Sequence, residues 1–252
     1  LNINMVEGSG RVVLISKEGG IYNHGHGDGA NIYGENVVLE VEKGIGNEGT
    51  PILTDITRDG SITIFASDDI FVSEILGDMR VATIQTDEDI ELIAQGSIIN
   101  AGTNQINLSG FNLTLQALTG TIGMVHDLLT INILEGGHFR ANTGNKGIYV
   151  YSVDGDLIVD WIYAGDAPVV LRSKGSILDG LADGSKANII ASTLRIQTET
   201  GNIGSAPLGD INRSIRLDLV NESRIDIDVA GSVYLIELTG DMSLGVIKVQ
   251  GD

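Results

Sequence analysis

The phrase GDLIVDWI at 155–162 repeats the pattern of GDMRVATI at 77–84 and GDMSLGVI at 240–247, and this threefold recurrence decides the fold. Two further markers keep the same order. EGGIYN at 18–23 returns as QGSIIN at 95–100 and KGSILD at 174–179, and GIG at 44–46 returns as TIG at 121–123 and NIG at 202–204. Matched glycines fall 77 and 79 residues apart in the first of these families (Gly19, Gly96, Gly175) and 77 and 81 apart in the second (Gly46, Gly123, Gly204). Several independent markers at one period are the signature of a repeat architecture, in which each unit buries its apolar surface on its neighbours. Leu1 takes the phase of Met79, Leu157 and Met242, so the units are read as 1–78, 79–156 and 157–241, with 242–252 opening a fourth. The expectation is one continuous solenoid over 1–252, cut from a longer array.

Within each unit the apolar residues come in short bursts such as RVVLIS, NVVLEVE, SITIFAS, IELIA, NLTLQA and TLRIQT. Alternation at period two, bounded by Gly, Asn and Asp, is a strand signal, and no stretch keeps a helical period. With 42% apolar but only 4% aromatic residues, the core is expected to be aliphatic. Two all-β architectures fit these signals: one continuous parallel β-solenoid, or tandem β-sandwich domains. Sandwiches call for a linker between units and a large buried pin in each, whereas Trp161 is the sole tryptophan and its counterparts are Thr83 and Val246. At three strands per turn, the segment count gives about ten to twelve coils and a rod roughly 50–60 Å long at ~4.8 Å per coil.

A formal charge of −19 disfavours nucleic acid and anionic membrane surfaces as partners. No run approaches the length of a membrane helix, so membrane insertion is not expected. Cysteine is absent, which excludes disulfides and thiolate metal sites. Much of the acid sits at segment ends (Asp68, Asp69, Asp87, Glu88, Asp89, Asp154, Asp156), where it serves turns or, in the sharper reading, calcium.

Runs such as GDLIVDWIYAGDAPVVLRSKGSILDG, LRIQTETGNIGSAPL and GSVYLIELTGDMSLGVI resemble the degenerate repeats of large bacterial exoproteins of the filamentous-haemagglutinin-like class, over essentially the whole chain. The resemblance implies a right-handed parallel β-helix in the stalk of a secreted or cell-surface adhesin. It carries over no catalytic residue, and the only cofactor in view is the Ca²⁺ already considered for the acidic segment ends. The implied partners are a glycan or protein receptor on a host or neighbouring cell, together with flanking repeats of the same chain.

Two sets of residues stand out as candidate sites. His24, His26 and Asp28, in NHGHGDG, have the donor types of a divalent metal site, but the segment occupies a variable loop. Tyr149 and Tyr151 alternate with Ile148 and Val150 and are therefore expected to face away from the core. Phe71 and Tyr234 match Tyr149 in the other units, and Trp161 with Tyr163 would extend an outward aromatic surface able to stack on sugar rings. A polysaccharide-processing enzyme or a carbohydrate-binding module is the competing reading. Enzymes on this scaffold cluster Asp or Glu with Lys or Arg at one place, whereas the acids and bases here are scattered over all three units.

Overall fold

The computed structural model describes residues 1–25, 27, 29–102, 106–181, 184–206 and 213–250, with only the backbone described at 221–223. Among the described residues there are 22 strands and no helix, and the strands pair in parallel. The fold is a parallel β-solenoid of about 10 turns, which at ~4.8 Å per turn makes a rod ~48 Å long.

The pairings sort into two columns. In the first, Val12 lies beside Val37, then Ile62, Val81 and Asn100. The same column continues from Ile98 through Ile122, Ile148, Val169, Leu194, Ile225 and Leu244. The second runs from Ile21 through Ile45, Ile70, Ile90, Leu113, Phe139 and Val159, and from Leu157 through Ile177, Ile203 and Val233. A turn takes from 19 residues (Ile62 to Val81) to 31 (Ile196 to Ile227). The expected three strands per turn are thus reduced to two. Where the register slips, as between Ile62 and Thr63 or between Phe139 and Arg140, short segments join through a bulge instead of being parted by a turn.

Alternation then fills the space between the columns. Ile90, Leu92 and Ala94 point inward and are buried, while Glu91 and Ile93 point outward. The same pattern repeats in Ile70–Glu74, Leu113–Ala117 and Leu129–Ile133. The resulting core is one cluster of Val, Ile, Leu and Ala with Met79, and Phe139 is the one aromatic in it among the described residues. Stacked rows of similar aliphatic side chains pack at high density without the irregular gaps that large rings would leave.

The markers owe their recurrence to contacts between turns. Asp78 and Asp156, of the GD phrases, accept the amide hydrogens of Ser97 and Ser176, of the GS phrases, each at 2.7 Å. Gly96 and Gly175 are needed beside them, because a Cβ would strike the carbonyls of Gly77 and Gly155. A third device pins the loop that follows. Asn31, Asn107 and Asn188 are wholly buried, and their Nδ2 groups donate to Asn23, Asn100 and Asp179. Their Oδ1 atoms accept the amides of Leu53, Thr130 and Arg216 in the next turn, so each loop is tied to the stack without an unpaired buried amide.

Gly46, Gly123 and Gly204 have φ of 66°, 67° and 67°, and a Cβ at each would meet the backbone oxygen of Phe71, Tyr149 and Tyr234 in the following turn. Both the left-handed conformation and the close approach require glycine. Gly123→Ala is expected to cost about 2 kcal/mol or more, measured by chemical denaturation; a loss within about 0.5 kcal/mol would contradict the tight approach.

Counting column visits explains where the units lie. From Ile21 the chain passes Asn36, Ile45, Ser61, Ile70, Met79 and Ile90 to Ile98, and from Ile98 it passes Leu113, Ile122, His138, Ile148, Leu157 and Pro168 to Ile177. Each step is half a turn, and each unit spans seven of them. An odd number puts matched residues of successive units in opposite columns.

Glu74 closes its strand as a buried carboxyl: Thr54 Oγ1 donates to it at 2.8 Å, and the Ile56 amide lies 3.2 Å from both its oxygens. Burial outweighs these donors and pushes its pKa from 4.5 up to about 8. The folded chain therefore holds this proton more tightly than the unfolded chain. The stability so supplied is fully present below pH 4.5 and is lost as pH rises through about 8. Denaturation midpoints measured from pH 5 to 8.5 should fall, and Glu74→Gln should flatten that slope; equal slopes would remove Glu74 from the account.

Candidate functional site

The predicted aromatic stripe does not form. Phe71 and Tyr234 follow Ile70 and Val233 in the second column, whereas Tyr149 follows Ile148 in the first. Tyr149 does alternate with inward residues, but it is only 9% exposed. Its ring lies across Gly147, a position with no side chain to hold it off, and burial pushes its phenol pKa up. Tyr151 is also engaged: Arg172 lies 4.6 Å over its ring, and its hydroxyl donates to Glu199 at 3.0 Å. Of the proposed metal ligands, His24 is exposed, and its amide donates to the Ile3 carbonyl at 3.0 Å. His26 and Asp28 lie outside the described residues. Among those described, no three His, Asp or Glu side chains gather as a metal set.

Trp161 and Tyr163 do come together. They stand two apart on the outer face of Leu157–Tyr163, with ring centroids 5.7 Å apart and planes inclined by 25°. Trp161 is 38% exposed and lines a groove of about 800 Å³. The groove follows the second column along the rod, from Arg140 past Trp161 and Ile190 to Asp218 and Leu238. These residues belong to five successive turns, a span of ~19 Å at ~4.8 Å per turn. Leu181, Ser185 and Lys186 contribute a wall from the loop after Asp179.

At one end of the groove is a charged cluster that sequence reading missed. The Asp160 carboxylate is 6% exposed; Arg140 donates to it through Nε at 2.9 Å and Nη2 at 2.7 Å, and His138 Nδ1 lies 2.5 Å from it. Gly180 packs against the pair, and any side chain there would collide with Asp160 and His138. The loop wall is anchored by Arg216, which is buried in a bidentate ion pair with Asp179 (2.8 and 2.9 Å) and also donates to the Lys186 carbonyl at 2.7 Å. A readable signal did exist: Asp160 and Trp161 replace Ala82 and Thr83 in one unit and Gly245 and Val246 in another. Departure from the repeat, rather than conformity to it, marks the site.

Fold and groove together define a parallel β-solenoid repeat protein with a surface groove beside Trp161, where the side chains depart from the repeat. No protein-family model matches the chain, and neither the curated proteins nor the solved structures provide a match.

Proposed function

We propose that the chain is a non-catalytic repeat segment of a large secreted or cell-surface bacterial protein of the filamentous-haemagglutinin-like class, serving as an extended scaffold and weak binding surface. The observation that carries this reading is the unit of seven half-turns. Each copy adds a fixed length of rod with a continuous aliphatic core, and the three copies share their stacking contacts but not their exposed side chains. Such an array multiplies reach and, through repetition, weak contacts. Its partners in this proposal are a surface glycan or protein receptor and flanking repeats. Calcium is at most loosely held at the acidic turns, where Asp69 and Asp89 already accept amides of the next turn.

The test is display of the chain on a non-adherent bacterium. Adhesion to glycan-coated or cell-coated surfaces, lost when the chain is replaced by an inert spacer of equal length, supports the reading. Release of reducing ends from a polysaccharide, abolished by Asp160→Asn, would replace it with the enzyme.

A further inference from the structure

We propose that the groove beside Trp161 is a binding site for a single neutral hexose chain laid along the solenoid axis. The inference stands on the groove itself and does not depend on where the chain is displayed. A pyranose ring presents a C–H face and a rim of vicinal hydroxyls, so a site for it needs a fixed aromatic surface bordered by planar polar groups. Trp161 supplies the surface. Its stacking on Tyr163 holds it in place on a strand, so little side-chain freedom remains to be lost on binding. Asp160 and Arg140 supply the polar border, fixed by their mutual hydrogen bonds. At the far end Asp218 is held by a hydrogen bond from Thr239 at 2.5 Å. Between these ends, Leu181, Ala187, Ile190 and Leu238 leave an apolar floor and wall.

Two features choose the ligand class. The volume lies within the ~300–1,000 Å³ range of small-ligand sites, yet the lining continues through five turns, which suits a linear oligomer better than one compact molecule. Charge selects the neutral form. Arg140 and Lys186 balance Asp160 and Asp218 within the groove, while the chain as a whole carries −19. An anionic polymer would meet repulsion from the rest of the rod without an excess of basic groups in the groove to offset it.

Trp161 is the only tryptophan in the chain, so its emission reports on the groove directly. The experiment titrates the full chain with linear hexaoses of glucose, mannose and galactose in their common linkages, and with oligogalacturonate as the anionic counterpart. At least one neutral hexaose should shift the emission with a Kd on the order of 0.1–1 mM, as expected for a shallow preformed groove. Calorimetry should then show affinity at least tenfold weaker in Trp161→Ala. Ser185→Arg, which leaves the stacked pair intact and fills the groove from its exposed wall, should weaken it equally, and Tyr151→Ala, outside the groove, should leave it unchanged. The proposal is overturned if no neutral hexaose binds at 10 mM (about tenfold above the weakest expected Kd), if oligogalacturonate binds more tightly, or if both groove variants bind like the parent.

Discussion

Leu92→Asp is expected to destabilise the chain by about 4 kcal/mol, enough to abolish cooperative folding in a domain of ordinary stability. Leu92 is fully buried, with Val72 in the turn before and Leu115 in the turn after, so the new carboxylate would have no polar neighbour and no route to water. The adjacent residue supplies the contrast. Glu91 already carries a charge on the outward side of the same strand, and Glu91→Gln should change stability by no more than about 0.5 kcal/mol. Urea denaturation of both variants checks the alternation itself. Similar effects at the two positions would contradict an inward Leu92.

The second large effect is at Arg216. Removing this guanidinium by Arg216→Leu strands the Asp179 carboxylate in a buried site and should cost about 3–5 kcal/mol. The repeat then predicts the rescue. At the equivalent positions the first unit has Asn23 and Leu53, in the same arrangement around Asn31 that Asp179 and Arg216 adopt around Asn188. Asp179→Asn combined with Arg216→Leu should therefore recover most of the loss, to within about 1 kcal/mol of the parent, because no buried charge remains. A double variant as unstable as the single one would show that the pair is not a local exchange within the repeat. Since Arg216 also holds the Lys186 carbonyl, the rescued protein should keep its fold while the groove wall loosens.

What could be read from the sequence divides by range. The repeat period, the aliphatic core and the inward positions Val12, Leu14, Ile90, Leu92, Val169 and Leu171 follow from local alternation; all are buried except Leu14, which is half-buried and packs against the core near its first turn. Column assignment was not readable. It depends on whether each bend is a turn or a bulge, and one extra half-turn moves Phe71 and Tyr149 from a shared stripe to opposite columns. Tyr149 is outward by alternation, as expected, yet its ring is covered because Gly147 leaves room for it, a contact that spacing alone does not disclose. The Asp179–Arg216 pair is likewise invisible locally. The two residues are 37 apart, and each looks like a solvated surface charge until the turns stack. Trp161 with Tyr163 was visible as a pair, but its groove is assembled from five turns.

The most direct test of the stacking is a cysteine pair, and the chain offers a clean background because it has no native cysteine. Glu91 and Thr114 are register partners on the outward face of adjacent turns of the second column. Their Cα atoms should be ~4.8 Å apart, inside the span a disulfide accepts. Glu91→Cys with Thr114→Cys is predicted to close into an intramolecular disulfide on mild oxidation, seen by mass spectrometry, with the melting temperature maintained or raised. A folded, monomeric chain in which both thiols stay free under those conditions would contradict the solenoid.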